Sequence, residues 1–277
     1  MKNTLENQKF LFVFDLDGTL LNSENRIEPK TKNLLMRLSE MGNIISIASG
    51  RPSRSIRIYA DQLGIHGPFI GYNGGAIDNP YDSSFVPFRK FINKDIILKF
   101  LSHFGEDAFV NLMIEDETDQ YYLKSNTSYV NFFHPEGMNI HIGSVLKELD
   151  KDMRTCVIQI KDVTKKEEMR KFVESLDENM SIRWWLDTDD FGELFFFDTN
   201  KATSILKLAD FYHIDRPHII CFGDAMNDYY MIKNAGISFA MKNGDKELQD
   251  AATYVTEYDN NHEGIYHALV KLFGIEE

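Results

Sequence analysis

FVFDLDGTL, residues 12–20, is the stretch that decides the fold, because it places two acids at the end of an apolar run. Residues 10–14 are all apolar, which predicts a short strand covered on both faces, as in a parallel sheet. The side chains of Asp15 and Asp17 share one side of an extended chain, about 6 to 7 Å apart, so one ligand can contact both. Gly18 then permits a tight turn, and Thr19 can hydrogen-bond it closed.

The composition is that of an acidic globular protein of 277 residues, long enough for one large domain or two ordinary ones. Its 43 acidic side chains outnumber 30 basic ones, and this net charge of -13 argues against nucleic acid as a partner. Cys156 and Cys221 lie in apolar, strand-like runs, which indicates buried thiols in a reducing compartment rather than a disulfide. The first residues have no apolar signal core, and no apolar run reaches the roughly 18 residues of a membrane span. We therefore expect a cytoplasmic protein without membrane contacts.

The first part of the chain alternates between strand and helix patterns. Apolar residues at helical spacing predict a helix over Pro29–Met41 and a second one that Gly64 ends. Strands are predicted at Ile44–Ala48 and Pro68–Tyr72. This order is typical of a parallel α/β sheet, and the turn-rich residues 79–82 predict the exit from the first domain.

Residues 83–189 have a different pattern, rich in aromatic residues and strand-like runs. Within them, Asn93 is predicted to cap a helix, and Thr164 with Glu167 is predicted to form a capping box before another. This mixture indicates an inserted α+β domain of ordinary size.

The α/β pattern then resumes, with a strand predicted at Glu193–Asp198, a helix at Asn200–Tyr212 and a strand at His218–Phe222. The predicted fold class is therefore α/β, with a doubly wound, mostly parallel sheet in a Rossmann-like core. We expect residues 1–82 and 190–277 to form this core, and residues 83–189 to form the inserted α+β cap domain.

Polar side chains follow several of the predicted core strands. In open parallel sheets, ligands bind above the carboxyl ends of the strands, so these side chains should meet. They are Asp15, Asp17, Ser49, Asp224, Asn227 and Asp228, and Lys201 joins them from a helix start. Taken singly, each has an ordinary interpretation. Acids at strand ends are commonly turn or helix-cap residues, residues 49–52 alone would be an ordinary turn, and Lys201 alone would be a solvated surface lysine. Their combination, in this order, predicts a functional site.

The predicted cluster suits a hard divalent cation that carries a phosphate. Three ionised acids and a phosphate dianion repel one another, at a cost on the order of 4 kcal/mol per pair near 4 Å. Mg²⁺ and Lys201 would offset much of this charge, and Arg51 could reduce the deficit further. Asp15 would act as the nucleophile and Asp17 as the acid and base, while Ser49 and Lys201 would hold the phosphoryl oxygens.

Four motifs resemble those of the haloacid dehalogenase superfamily: DLDGTL at 15–20, ASGRP at 48–52, Lys201 in TNKATSI, and GDAMND at 223–228. Their order and the large insert are similar to the Cof-type phosphatases, with a type IIB cap. YNGG at 72–75 and HEGI at 262–265 also fit. One departure is Ala202, which follows the motif lysine where the family commonly has glycine.

The resemblance implies a role for each matching residue. Asp15 would be the phosphorylated nucleophile and Asp17 the acid/base. Mg²⁺ would be bound by Asp15, Asp224 and the backbone carbonyl of Asp17. Asp228 would support these ligands without binding the metal itself. The phosphate-binding residues that it implies are Ser49, Lys201 and Asn227, and we expect Gly18, Gly50 and Arg51 to bind the phosphate with them.

The leading hypothesis is Mg²⁺-dependent hydrolysis of small phosphomonoesters, such as sugar phosphates or similar metabolites, through an aspartyl-phosphate intermediate on Asp15. A phosphomutase or phosphotransferase would use the same nucleophile, and a phospho-ligand sensor could use the same aspartate without catalysis. The expected partner is a small phosphorylated metabolite, and the expected state a monomer or homodimer. The cap has no comparable motif, so the sequence does not identify the substrate.

Overall fold

The computed structural model describes residues 8–125, 136–185 and 188–275. Its internal contacts divide the chain into two compact units, the first of Met1–Phe88 with Asn200–Glu277 and the second of Arg89–Thr199. The second unit begins and ends later than the predicted domain of residues 83–189.

The strands and helices are numbered in chain order through the described residues. The strands are β1 (Leu11–Phe14), β2 (Ile44–Ala48), β3 (Phe69–Gly71), β4 (Ala76–Asp78), β5 (Phe88–Arg89), β6 (Phe109–Glu115), β7 (Asp119–Tyr122), β8 (Asn139–Ile142), β9 (Thr155–Ile160), β10 (Met180–Trp184), β11 (Phe191–Phe196), β12 (Ile219–Gly223), β13 (Ile237–Ala240) and β14 (Tyr254–Val255). The helices are α1 (Pro29–Glu40), α2 (Ser53–Leu63), α3 (Lys94–Phe104), α4 (Val145–Glu148), α5 (Lys166–Leu176), α6 (Lys201–Phe211), α7 (Tyr229–Asn234), α8 (Lys246–Ala251) and α9 (Gly264–Phe273).

The sheet of the first unit has the order β14-β13-β12-β1-β2-β3-β4-β5. Its strands from β14 to β3 pair in parallel, and β4 pairs antiparallel with β3. The central strand β1 lies between β12 and β2, with Phe14 opposite Phe222. The carboxyl ends of β1 and β12 are therefore neighbours, which brings the acids that follow them to one edge of the sheet.

The side chains of β1 are buried on both faces of this sheet, as the apolar run predicts. Phe12 and Phe14 belong to a core that also contains side chains of α1, α2 and α9. Leu11 and Val13 belong to the opposite core, with side chains of α6 and α7. This two-sided cover confirms the α/β fold class and its doubly wound, mostly parallel sheet.

The second unit has a six-stranded sheet of order β10-β11-β9-β6-β7-β8, antiparallel except for the pair β7 and β8. Its core contains Leu112 and Ile158 from the sheet, together with Ile97 and Phe100 of α3 and Val173 of α5. The unit thus combines helices with a mostly antiparallel sheet, which is an α+β arrangement.

The strand predicted at Glu193–Asp198 was assigned to the wrong sheet. The structure places it at Phe191–Phe196, between β10 and β9 of the second unit. Its Leu194 is buried in the core of that unit, whereas Glu193 alternates to the other face. An apolar run of this kind suits a buried parallel strand as well, and only the pairing with β10 and β9 places it in the antiparallel sheet.

The helix caps give a mixed result. The Asn93 side chain accepts a hydrogen bond from the Asp95 N–H at 2.8 Å, so this predicted cap is confirmed. The capping box of Thr164 and Glu167 is wrong, because Asp162 accepts from the Thr164 N–H at 3.0 Å and a 3₁₀ turn precedes α5. Of the helices in the described ranges, none has the length and hydropathy that a bilayer span requires.

Candidate active site

Asp15 comes directly after β1 and is almost fully buried. Its N–H donates to the Phe222 carbonyl at 2.9 Å, which continues the parallel ladder by one residue. Its carboxylate contacts the ammonium group of Lys201. A carboxylate is therefore held at the strand end beside a buried cation.

The turn of residues 16–20 carries Asp17 away from the strand. Gly18 has φ of 76°, in the left-handed region, and a Cβ there would lie 2.3 Å from Oδ2 of Asp224. Glycine is therefore required both by the backbone and by the close approach of that carboxylate. The Thr19 hydroxyl donates to Oδ1 of Asp224 at 2.7 Å, and so ties the turn to the loop after β12.

Lys201 is the first residue of α6 and is completely buried. The preceding Asn200 caps the helix by accepting from the Thr203 N–H at 3.1 Å. Burial alone would lower the pKa of Lys201, but Asp15 and Asp228 hold this pKa above its ordinary value. The lysine is therefore a fixed positive charge of the site rather than a solvated surface residue.

Asp15, Asp224 and Asp228 bring carboxylate oxygens within 4.8 Å of one another. Burial raises the pKa of Asp15 well above its usual range, and the negative charge of Asp228 is the second largest cause of this rise. Burial also raises the pKa of Asp224, to about 6, and the negative charge of Asp228 is again the second cause. Three acids around one lysine form a donor set of hard oxygens with excess negative charge, which fits a divalent cation.

Asp228 lies in this cluster, but both of its oxygens already accept hydrogen bonds. Oδ1 contacts Lys201 at 2.6 Å, and Oδ2 accepts from the N–H groups of Asp224 at 3.0 Å and Ala225 at 3.3 Å. These contacts fix the loop that carries Asp224.

Ser49 and Arg51 follow β2, as the sequence predicts. The buried Ser49 hydroxyl accepts from the Arg51 N–H at 3.1 Å. The Arg51 guanidinium is directed at Asp17, with Nε donating to Oδ2 at 2.9 Å and Nη2 to Oδ1 at 2.5 Å. Arg51 thus binds the second acid of the first motif, a contact that the sequence did not predict.

The YNGG segment lies against two of the predicted phosphate-binding residues. Asn73 accepts from Nδ2 of Asn227 at 3.1 Å, and the backbone of Gly50 lies beside its side-chain amide. Tyr72 and Asn73 both have left-handed backbone conformations, with φ of 50° and 51°. This strained turn therefore joins the loop after β2 to the loop after β12.

A family model for haloacid dehalogenase-like hydrolases matches residues 12–269. The chain belongs to this family. It is 26% identical over 272 residues to 5-amino-6-(5-phospho-D-ribitylamino)uracil phosphatase YitU of Bacillus subtilis, covering 98% of this chain and 100% of that protein. It is 31% identical over 268 residues to the putative phosphatase MG265 of Mycoplasma genitalium, covering 94% and 96%.

Solved structures of haloacid dehalogenase-like hydrolases have the same fold. One from Bacteroides thetaiotaomicron superposes with a TM-score of 0.81 at 26% identity, covering 96% of this chain and 100% of that chain. The subclass IIB sugar phosphatase BT4131 superposes with a TM-score of 0.76 at 25% identity, covering 97% and 100%. The predicted Cof-type family, fold class and enzyme class, a phosphatase, are thereby confirmed.

Asn243 shapes the site of this haloacid dehalogenase-like hydrolase and was not predicted from the sequence. Asn243 donates from Nδ2 to the Gly18 carbonyl at 2.8 Å. The available signal was its position, because the polar residues 242–245 follow β13 at the same edge of the sheet.

The HEGI segment has a structural role in the described residues. The Glu263 carboxylate accepts from the N–H groups of Lys30 and Thr31, both at 2.8 Å, and so caps the start of α1. An acid at a helix N-terminus is favoured by the helix dipole as well as by these hydrogen bonds.

Proposed function

We propose that this phosphatase hydrolyses small phosphomonoesters with Mg²⁺, through transfer of the phosphoryl group to Asp15. The observation that carries the proposal is the buried Asp15 carboxylate, in contact with Lys201 and close to Asp224 and Asp228. The nucleophile has to be ionised, and Lys201 lowers the pKa of Asp15 against the rise that burial and Asp228 cause.

The cation would be held by Asp15 and Asp224, with the backbone carbonyl of Asp17 that the family pattern implies. When bound, Mg²⁺ supplies the positive charge that a phosphate dianion needs among these acids. The chain's own Lys201 contributes a second positive charge, in contact with Asp15 and Asp228. Its ammonium would also stabilise the charge on the phosphoryl oxygens as the bond to the leaving group breaks.

Asp17 is the proposed acid and base. Its side chain is 42% exposed, whereas that of Asp15 is 8% exposed, so Asp17 can meet both the leaving group and water. In the first step an Asp15 oxygen bonds to phosphorus, the ester P–O bond breaks, and the Asp17 proton passes to the leaving oxygen. In the second step water attacks phosphorus, its proton passes to Asp17, and the bond to Asp15 breaks.

The proposed substrates are sugar phosphates or similar metabolites. YitU is named for a phosphorylated ribitylaminouracil, and BT4131 for sugar phosphates. We further propose that the second unit is the cap that selects among these compounds, with Ser49, Lys201 and Asn227 binding the phosphate that they share. We also propose that the protein is cytoplasmic and is a monomer or a homodimer.

The test is a panel of phosphomonoesters incubated with the protein, with Mg²⁺ and with a chelator. The panel contains sugar phosphates, the phosphorylated ribitylaminouracil, nucleotides and an aryl phosphate, and the Asp15→Asn variant is the control. We expect release of inorganic phosphate that requires Mg²⁺ and Asp15. Transfer of phosphate to a second sugar without release would indicate a phosphotransferase, and a folded protein that hydrolyses none of these esters would overturn the proposal.

A further inference from the structure

The loop of residues 241–245, which follows β13, lies against the backbone of Asp224. The Met241 N–H donates to the Gly223 carbonyl at 2.9 Å, and the Asp245 N–H to the Asp224 carbonyl at 2.7 Å. A Cβ at Gly244 would lie 2.7 Å from that same Asp224 carbonyl oxygen, so the approach requires glycine. The loop is therefore fixed directly to the segment that carries one of the cluster acids.

The same loop reaches the turn after β1 through the side chain of Asn243. Its Nδ2 donates to the Gly18 carbonyl at 2.8 Å, and its Oδ1 accepts from the Asn260 N–H at 3.1 Å. Asn260 in turn donates from Nδ2 to the Leu21 carbonyl at 2.8 Å. Two asparagines thus hold both ends of the turn that follows Asp17.

These contacts close a ring around Asp224. The Gly18 carbonyl belongs to the peptide group whose N–H is that of Thr19, and the Thr19 hydroxyl donates to Oδ1 of Asp224 at 2.7 Å. The ring therefore runs from the Asp224 backbone through Asp245 and Asn243 to Gly18, and returns through Thr19 to the Asp224 carboxylate. Anchoring both the backbone and a carboxylate oxygen fixes the orientation of this side chain.

We propose that Asn243 is a positioning residue, which presets the Asp224 carboxylate and the Asp17–Gly18 turn for Mg²⁺. This inference rests on the proposed function, because that function identifies Asp224 as a ligand. Partners that orient a ligating carboxylate typically contribute about 10- to 100-fold to metal affinity. Asn243 has this effect because its side chain is the link between the loop and the turn in the ring described above.

Gln249 of α8 offers a matched control, since it braces the same loop without contacting the turn in the ring. Its Nε2 donates to the carbonyls of Met241 and Lys242 at 3.1 Å and of Gly244 at 3.2 Å. Gln249→Ala therefore loosens the loop, whereas Asn243→Ala breaks the ring.

The experiment measures Mg²⁺ binding to the metal-free protein by titration calorimetry, without substrate. We expect Asn243→Ala to raise the Kd for Mg²⁺ about 10- to 100-fold. We expect Gln249→Ala to lower Tm while its Kd stays within about threefold of the wild type. In turnover assays, Asn243→Ala should raise the Mg²⁺ concentration for half-maximal rate more than it lowers kcat at saturating Mg²⁺.

A double-mutant cycle with Thr19→Val tests whether Asn243 acts through the ring. If it does, most of the effect of Asn243→Ala on Kd disappears in the Thr19→Val background. Additive effects, or an equal loss of affinity in Gln249→Ala, would overturn the inference. Asn243→Asp keeps the acceptor for Asn260 but loses the donor to Gly18, and it serves the same test if Asn243→Ala does not fold.

The two proposals fail in different ways. A wild-type protein that binds no Mg²⁺ and hydrolyses no phosphomonoester would reject the proposed function and the inference with it. A wild-type protein that binds Mg²⁺ and turns over, beside an Asn243→Ala variant with the same Kd, would reject only the role of Asn243.

Discussion

The guanidinium of Arg51 holds the carboxylate of Asp17 through two parallel hydrogen bonds, at 2.9 Å and 2.5 Å. The Arg51 side chain is only 6% exposed, and its guanidinium lies over the Tyr59 ring at 5.5 Å from the centroid. A planar fork of this kind sets the direction of a carboxylate as well as neutralising it. Asp15, two residues earlier, contacts Lys201 instead, so the two acids of the first motif have separate cations.

Replacing Arg51 tests whether its guanidinium orients Asp17 or binds the phosphate. Orientation predicts that Arg51→Lys and Arg51→Met lower kcat by roughly 10- to 100-fold with little change in KM, because an acid/base group contributes about 10²- to 10⁴-fold. Steady-state kinetics at saturating Mg²⁺ provides the measurement. A rise in KM at constant kcat would instead support the phosphate-binding role that the sequence suggested.

The Asp15→Asn variant should lose phosphate release by roughly a thousandfold or more, because the amide is not a nucleophile for the first step. Release of inorganic phosphate from an aryl phosphate measures this loss. Circular dichroism and Tm of the variant control for folding. Turnover at the wild-type rate would rule out the proposed mechanism.

The Asp17→Asn variant should lose at least about a hundredfold in kcat, while its affinity for Mg²⁺ stays close to that of the wild type. The reason is that the Asp17 carboxylate is directed at Arg51, whereas the acid cluster consists of Asp15, Asp224 and Asp228. Calorimetry with Mg²⁺ beside kinetics separates the two effects. A parallel loss of affinity and rate would assign the Asp17 carboxylate to the metal.

The Asp224 carboxyl should make the metal-free protein less stable as pH rises from about 4 to about 6. Burial raises the pKa of Asp224 from 3.8 to about 6, so within this window the unfolded chain has lost a proton that the folded chain retains. The folded state therefore loses stability as pH rises, and this cost, on the order of 3 kcal/mol, remains at higher pH.

Chemical denaturation in the presence of a chelator, from pH 4 to pH 8, measures this dependence. The Asp224→Asn variant should show a shallower decrease and a higher Tm at pH 7, by several degrees, because it does not place a charge in the cluster. Identical pH profiles for the variant and the wild type would contradict the raised pKa as the cause. Adding Mg²⁺ should restore stability to the wild type but not to Asp224→Asn.

Much of the fold could be predicted because the deciding signals are local or depend on a general rule. The apolar run of residues 10–14 requires cover on both faces, and β1 has it. The rule for parallel sheets places the residues after β1 and β12 together, and Asp15 and Asp224 do belong to one cluster. Gly64 ends α2 in a left-handed conformation, as a glycine after a helix usually does.

Other features were decided by tertiary structure. The sequence did not indicate that β11 joins the second unit, because a strand's sheet depends on which edge it pairs with. It did not distinguish whether Arg51 contacts phosphate or Asp17, since a long side chain can reach either from the same turn. Asn243 had no signal beyond its place after β13, because an asparagine in a turn is ordinary.

The sequence by itself thus determined which acids the strands present, because strand ends and turn glycines are encoded by neighbouring residues. Only the tertiary structure decided how each acid is held: Asp15 by Lys201, Asp17 by Arg51, and Asp224 by the ring through Thr19 and Asn243. The physical reason is that these contacts join residues up to 225 positions apart in the sequence, and the packing of the whole unit sets the distances between them.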